Sequence, residues 1–329
     1  MTNISTTPSN FRIPAGFPKF FSKNDNCFYE LDDSVLKAKT SKFSIEGGIP
    51  RFVNRDNYAS AFGSQWIEYQ KTQLDSFSGH PITEDRIKSC LGNELFDFLK
   101  GKLVLEAGCG AGRFTEILLK QSSKVVSFDL SDAVDANYKN FPTDENHLII
   151  QADINNLPFE NNQFDVVFCL GVVQHTPNPE QTIESLFNQV KPGGWLVIDH
   201  YTYNLSHYTK TSPILRHLFF KHLSAEKGMI WTKRVVNLFF PLHKLVRNYK
   251  YLQMLLSRVS PVITTFHVFP ELTDKQQYEW SLLDTHDTLT DYYKHFRTKG
   301  QIIYTLKQLG AKNILATYSG NGVEARCQK

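Results

Sequence analysis

The stretch that decides the fold is Leu103-Val104-Leu105-Glu106-Ala107-Gly108-Cys109-Gly110-Ala111-Gly112-Arg113, a short apolar run that ends in alternating glycines. A continuous apolar run bounded by a turn is typical of a strand that is buried on both faces. A glycine-rich turn between such a strand and a helix lets a ligand approach the backbone closely and exposes the N-terminus of the helix. This stretch therefore predicts the first strand and the first ligand-binding loop of an α/β sheet.

The rest of the sheet is predicted by working outward from this turn. Further apolar runs occupy residues 125–129, 147–152, 164–170 and 195–198, and amphipathic helical patterns separate them. This alternation predicts a parallel, doubly wound sheet covered on both faces, because crossover connections are right-handed. Runs at 313–317 and 323–327, around a glycine-rich turn at 320–322, predict a terminal antiparallel hairpin. The expected fold class is α/β, a Rossmann-like seven-stranded doubly wound sheet.

The same patterns divide the chain into three parts. Residues 58–200 and 298–329 are predicted to form the α/β core, and residues 1–57 an irregular or β-rich lead-in. Residues 201–297 interrupt the alternation with mostly helical patterns after the fifth strand. We expect this insertion to cover the carboxyl ends of the strands, where open α/β sheets bind ligands.

Composition narrows the class of protein. The 329 residues are 41% hydrophobic and carry a formal net charge of +3, so overall charge gives no reason to expect a nucleic-acid partner. The five cysteines are scattered without CxxC spacing, which predicts neither a disulfide framework nor a metal site. The N-terminus lacks the pattern of a signal peptide, and no run of about 18 apolar residues predicts a membrane span. A cytoplasmic protein is the expectation.

An acidic residue follows each of the first three strands. Glu106 ends the first strand, where it could meet a ligand's ammonium group. Asp129 ends the second and could accept hydrogen bonds from both hydroxyls of a ribose. Asp153 follows the third and could accept from an adenine amino group, with Ile154 packing on the ring. Each acid alone could be a solvated strand end, but together they favour an adenosyl ligand with a positively charged tail.

Two alternatives compete for the glycine turn. A turn of this kind can connect a strand and a helix without any ligand. A dinucleotide-binding turn requires GxGxxG, and the sixth position here is Arg113, which counts against that class.

Four stretches together resemble the motif series of a known family: VLEAGCGAGRFTEILL from residue 104, SFDLS from 127, QADINNLPF from 151, and residues 164–199. The series is similar to that of class I S-adenosylmethionine (SAM)-dependent methyltransferases, and most to the small-molecule type that includes ubiquinone-biosynthesis methyltransferases. The resemblance covers residues 100–200 and implies SAM as the cofactor. The cofactor-binding residues that it implies are Glu106, Gly108, Gly110, Gly112, Arg113, Asp129, Leu130, Asp153, Ile154, Leu170 and Gly171.

The segments before the core also resemble parts of such relatives. Residues 17–53 are similar to a zinc-ribbon lead-in whose cysteines are missing apart from Cys27, so we expect no metal. Residues 62–66 resemble a segment that packs over the cofactor in these relatives.

Three histidines are candidates for a general base. Methyl transfer is an in-line displacement, and a base assists when the acceptor loses a proton. His175 follows the fourth strand, although relatives often carry a histidine there whatever their substrate. His200 lies in Asp199-His200-Tyr201 at the end of the fifth strand and could simply close that strand. His286 lies between Asp284 and Asp287 in the insertion; these acids could assist it, bind a divalent ion, or cap a helix.

The insertion is unusually basic between residues 205 and 260, with ten lysines and arginines and one acid, Glu226. Aromatic residues are interleaved with these charges. The segment could be a cap over an anionic or lipid-like substrate, a peripheral membrane helix, a dimer face, or a set of amphipathic helices with a solvated face. Nucleic acid is not expected, because no recognition motif accompanies the charge.

The function that the sequence predicts is SAM-dependent methylation of a small molecule, with a histidine base and oxygen favoured over carbon or nitrogen as the acceptor atom. A SAM-binding scaffold or sensor without turnover is one alternative. An RNA or protein methyltransferase is another, which would need a basic groove open to a polymer.

Overall fold

The computed structural model describes residues 11–53, 59–121, 123–204 and 209–329. Its N-terminal part consists of short antiparallel strands, which pair as a two-stranded and a four-stranded sheet. These strands are β1 (Phe21–Ser22), β2 (Cys27–Phe28), β3 (Glu30–Asp32), β4 (Val35–Lys37), β5 (Lys42–Glu46) and β6 (Ile49–Pro50). Residues 1–10 and the expected boundary at 57/58 lie outside the described residues.

A seven-stranded sheet forms the centre of the molecule, in the order β12-β13-β11-β10-β7-β8-β9. Strands β7 to β11 run parallel, and β13 pairs antiparallel with both β11 and β12. The strands are β7 (Leu103–Ala107), β8 (Lys124–Asp129), β9 (His147–Gln151), β10 (Phe164–Cys169), β11 (Val190–Tyr201), β12 (Lys312–Ser319) and β13 (Gly322–Gln328). The predicted Rossmann-like sheet and its terminal hairpin are confirmed.

Helices cover both faces of this sheet. The helices of the described chain, including those of the insertion, are α1 (Ser60–Glu68), α2 (Asp75–Ser78), α3 (Ile82–Phe98), α4 (Arg113–Lys120), α5 (Ala133–Asn140), α6 (Pro179–Gln189), α7 (Thr211–Leu218), α8 (Ala225–Leu245), α9 (Lys250–Val259), α10 (Asp274–Thr290) and α11 (Lys299–Gln308). Helix α3 is broken at Gly92, where φ is 70°.

The continuous apolar strands explain why both faces are buried. Successive side chains of a strand point to opposite faces, so Val104 and Leu105 belong to different hydrophobic clusters. Val104 packs with residues of α3 and α4, whereas Leu105 packs in the larger cluster with residues of α6 and α11. A sheet with two dry faces needs a helical layer on each, which is the doubly wound arrangement.

The lead-in packs against the same sheet. Phe20 and Phe52 lie in the larger hydrophobic cluster, and their rings are 4.9 Å apart. Arg51 forms a parallel bridge with Gln151, so the lead-in extends the edge of β9.

Between β11 and α11 the chain forms α7 to α10 and the loops around them. Helix α10 packs against α7 and α8, and it also contacts α1. The long β11 includes Pro192-Gly193-Gly194, which the sequence pattern placed before the fifth strand, and β10 and β11 are out of register at this point.

Candidate active site

A cavity of about 780 Å³ opens at the carboxyl ends of the parallel strands. Its floor is built from residues that follow β7, β8, β9, β10 and β11, and its roof from α1, α10 and the loop that follows α9. The residues at the strand ends are 108–111, 128–130, 152, 154, 170–172, 199 and 201.

The glycine turn shapes the near side of the cavity. Gly108 has φ of 71°, and a Cβ there would lie 2.2 Å from Val172 Cγ2, so only glycine fits. The backbone N–H of Gly110 donates to Asp129 Oδ2 at 3.1 Å. Gly112 precedes α4 as its N-cap and lies against Phe141 rather than at the cavity. Gly108 and Gly110 of the turn therefore present backbone to the cavity.

Asp129 lines the cavity at the end of β8. Its Oδ1 accepts hydrogen bonds from the backbone N–H and the hydroxyl of Ser131, at 2.9 and 2.7 Å. Burial raises the pKa of this carboxyl, although the hydrogen bonds from Ser131 and Gly110 oppose the shift. The fixed carboxylate is suited to accept hydrogen bonds from two neighbouring hydroxyls.

Glu106 does not border the cavity but lies beneath the glycine turn. Its Oε2 accepts hydrogen bonds from the hydroxyls of Thr115 and Ser127, both at 2.6 Å. Its Oε1 is buried and has no hydrogen-bond partner among the described residues. Burial raises the pKa of Glu106 to about 7. The contact of Glu106 with a ligand's ammonium group therefore stays a prediction.

Four residues that the sequence predicts to bind the cofactor line the cavity: Leu130, Ile154, Leu170 and Gly171. Asp153 is not among the lining residues; its Oδ1 accepts a hydrogen bond from the backbone N–H of Asn155 at 2.8 Å. Ile154, the next residue, lines the cavity instead of Asp153.

Arg113 lines the cavity where the glycine turn meets α4. Its guanidinium lies 5.5 Å from the ring centre of Trp280, and Nε donates to Thr83 at 3.2 Å. Burial lowers the pKa of Arg113 to about 10, and the charge of Asp284 acts in the opposite direction. Arg113 therefore links the turn to the insertion.

The insertion supplies an acidic and aromatic wall. Trp280, Asp284 and Asp287 project from one face of α10 into the cavity, at the spacing of successive helical turns. Burial, reinforced by the charge of Asp287, raises the pKa of Asp284 to about 7. Both acids lie inside α10, whose N-cap is Thr273, so the alternative that they cap a helix is wrong.

His175 is the one candidate histidine that the structure brings to the cavity among the described residues. Its Nδ1 lies 3.2 Å from the Tyr293 carbonyl oxygen and 3.4 Å from Asp291 Oδ2, which orients the ring. Burial lowers the pKa of His175, but Asp287 and Asp291 outweigh burial and leave it above its ordinary value.

The structure places His200 and His286 away from the cavity. His200 follows Asp199 on β11, so its side chain takes the opposite face, and Nδ1 lies 2.8 Å from the Tyr201 carbonyl oxygen. Burial lowers the pKa of His200 to about 4. His286 faces the interior of the insertion, with Nδ1 3.1 Å from Thr232 Oγ1. We therefore correct the expectation that these two rings act as bases, because neither lines the cavity.

Asp199 joins elements distant in sequence at the rim of the cavity. It accepts from the Gly171 backbone N–H at 2.6 Å and pairs with Arg86 of α3 at 3.0 Å. Arg86 also pairs with Glu324, and Asn321 of the terminal hairpin donates to Asp199 at 3.4 Å. Sequence reasoning missed Arg86 and Asn321, because nothing in the helix or hairpin pattern signals a distant carboxylate.

Helix α1 covers the cavity on the side of the glycine turn. Trp66 packs over the glycine turn, 3.3 Å from where a Cβ on Gly110 would lie. Gln65 is buried, lines the cavity, and its Oε1 has no hydrogen-bond partner among the described residues. Residues 62–66, which we expect to pack over the cofactor, lie in this helix, and that packing stays a prediction. The side chains of residues 62 and 64 lie outside the described residues.

Within the described ranges, no three or more His, Cys, Asp or Glu side chains are arranged to bind a metal ion.

Comparison with known proteins bears on this geometry. Residues 105–198 match the family model described as a methyltransferase domain. A ubiquinone biosynthesis O-methyltransferase of Coxiella burnetii is 33% identical over 116 residues, which are 34% of this chain and 49% of that protein. One from Alkalilimnicola ehrlichii is 26% identical over 161 residues, 45% of this chain and 59% of that protein. The chain thus spans about half the length of these relatives.

Human N-acetylserotonin methyltransferase in complex with SAM aligns with 84% of this chain and 63% of its own, at 14% identity and a TM-score of 0.41. The matched segment 105–198 contains the glycine turn, Asp129 and His175, which the cavity brings together. Over these residues the chain is similar to methyltransferase domains.

Proposed function

We propose that the protein is a SAM-dependent methyltransferase that methylates a small molecule, with an oxygen as the favoured acceptor atom. The observation that carries the proposal is that one cavity holds both the strand ends of the methyltransferase domain and the polar wall of α10. Cofactor and acceptor could therefore meet in a space that the insertion shields from water. The preference for oxygen is supported by the relatives, which are ubiquinone biosynthesis O-methyltransferases.

The residues of the cavity fit the cofactor. Gly108 lines the cavity with Val172 packed against it, and Asp129 is positioned to accept the ribose hydroxyls. Acids outnumber arginines in the lining, which favours a sulfonium: the acids are Asp85, Asp129, Asp199, Asp284 and Asp287, and the arginines are Arg86 and Arg113. When bound, SAM supplies an activated methyl group.

The protein's part in the reaction is to align the acceptor and to remove its proton. Alignment can supply about 7–11 kcal/mol of the barrier. His175, held at Nδ1 by Tyr293 and Asp291, is proposed to take the acceptor's proton. Since a base must be unprotonated, and Asp287 and Asp291 raise the pKa of His175, turnover is expected to rise with pH through that pKa.

The test uses the full chain, methyl-labelled SAM and a small-molecule extract of the producing cells. We expect label to enter one metabolite, and His175→Gln to slow that transfer by about 10²-fold or more while binding of S-adenosylhomocysteine (SAH) is unchanged. His217→Gln, at an exposed position of α7, is the matched control and should transfer at the wild-type rate.

Two results would contradict the proposal. If SAH binds but label never leaves SAM, the protein is a binding protein without turnover. If label is recovered only in RNA or protein, the acceptor is a polymer.

A further inference from the structure

Helices α7, α8 and α9 expose a continuous series of large apolar side chains. On α8, Leu238, Leu242 and Leu245 follow one another at helical spacing, and the exposed fractions of Leu238 and Leu245 are 66% and 77%. Their positions form one stripe, opposite the buried Val236, Phe240 and His243. An amphipathic helix in a protein core would bury such a stripe, whereas here it faces outward.

The two neighbouring helices repeat this pattern. On α7, Ile214 and Leu218 are exposed at i and i+4, and on α9 Tyr251, Leu255 and Val259 are exposed at the same spacing. Tyr251 has an exposed fraction of 79%. Exposed apolar residues on a monomer are usually scattered singly, so stripes on three successive helices indicate an interaction surface.

Contacts between the helices hold these stripes in one unit. The rings of Phe219, after α7, and Trp231 of α8 are 5.5 Å apart. Near the end of α8, Nδ1 of His243 is 2.9 Å from Gln253 Nε2 of α9. Thr211, at the start of α7, donates to the carbonyl of Val259 at 2.9 Å. Each helix therefore contacts the next, and the end of α9 contacts the start of α7.

Charge distinguishes the partners that could cover this unit. Residues 205–260 carry ten lysines and arginines and only Glu226 as an acid. Some of these cations are paired internally: Arg216 with Asp291, Lys233 with Glu68, and Lys244 and Arg247 with Asp274. The cations that form no ion pair with any described acid are Lys210, Lys221, Lys227, Arg234, Lys250 and Arg258.

We propose that the outer faces of α7, α8 and α9 bind the surface of an anionic lipid bilayer. Leucine side chains would enter the acyl boundary while the cations contact anionic headgroups. Trp231, over which the Arg234 guanidinium lies at 4.7 Å, and Tyr251 have the amphipathic side chains that favour the interface. None of the described helices has the length and hydropathy of a transmembrane span.

A second copy of the chain fits the same surface less well. Two copies related by a twofold axis would bring like patches together, and both are strongly basic. Repulsion between unpaired cations opposes that contact, whereas a layer of anionic headgroups neutralises them.

The experiment is flotation of the full-length protein with vesicles of phosphatidylcholine containing phosphatidylglycerol, and with vesicles of phosphatidylcholine alone. We expect binding to the anionic vesicles that weakens at high salt, and at least about tenfold weaker partitioning for Leu238→Glu/Leu242→Glu. The matched control is Leu31→Glu/Leu315→Glu, at exposed leucines outside the insertion, which should bind vesicles like the wild type.

SAH binding by every variant shows that the fold is intact, so failure to bind vesicles would leave the proposed methyl transfer untouched. Two outcomes overturn the inference. One is a monomeric wild-type protein that stays unbound with anionic vesicles at low salt. The other is a wild-type dimer that Leu238→Glu/Leu242→Glu dissociates, which would make the surface a subunit interface.

Discussion

Glu106 lies beneath the candidate active site, and its protonation state affects the stability of the fold. It lies under the glycine turn with hydrogen bonds from Thr115 and Ser127, and burial raises its pKa to about 7 from an ordinary value of 4.5. The folded chain therefore holds this proton more tightly than the unfolded chain. Its contribution to stability is fully present below the unfolded pKa and is lost as the pH rises to about 7.

Glu106→Gln tests this linkage, because the variant cannot titrate at that position. The free energy of unfolding of the wild type should fall by about 3 kcal/mol more than that of the variant between pH 4.5 and 8. Urea unfolding of both ligand-free proteins across this range measures the difference. Parallel pH profiles would show that Glu106 has an ordinary pKa.

At the residue scale, the sequence predicted which residues lie at the strand ends better than it predicted where their side chains point. It predicted Asp129, Ile154 and Gly171 at strand ends, and the structure brings all three to the cavity. It could not tell that Asp153 would bind the backbone of Asn155, because that depends on one side-chain torsion. It also chose His200 as a candidate base, whereas the adjacent Asp199 lines the cavity, because neighbours on a strand face opposite sides.

At the scale of elements, buried charges join parts that the sequence pattern treats separately. Arg86 of α3 pairs with Asp199 of β11 and Glu324 of β13, and both carboxylates are buried. The pairs connect α3, which precedes the first strand of the seven-stranded sheet, to the hairpin after the insertion. No periodicity reveals such pairs, whereas the strands and helices themselves follow from apolar spacing.

Arg86→Ala should therefore destabilise the fold strongly, because two buried carboxylates lose their cation. We expect a loss of about 3–5 kcal/mol in the free energy of unfolding, measured in urea. The control is Lys88→Ala on the same helix, whose exposed pair with Glu84 is worth about 0.3–0.5 kcal/mol. Equal, small losses in both variants would show that the Arg86 pairs do not stabilise the fold.

At the scale of the whole molecule, the insertion has two different faces. Its inner face, with Trp280, Asp284 and Asp287 on α10, completes the cavity. Its outer face, on α7 to α9, carries the exposed leucines and lysines. The sequence predicted a helical insertion rich in basic and aromatic residues, but it could not assign residues to the two faces, because that depends on how the four helices pack.

The central claim is that the strand ends around Asp129 bind an adenosyl cofactor, and calorimetric titration of the full chain with SAH tests it most directly. Asp129→Ala removes the carboxylate proposed to hold the ribose, and Glu160→Ala, an exposed acid outside the cavity, is the control. We predict one SAH per chain for the wild type and the control, and about a hundredfold weaker binding for Asp129→Ala. Wild-type affinity in Asp129→Ala, or no heat with SAM or SAH while a nicotinamide dinucleotide binds, would contradict the account.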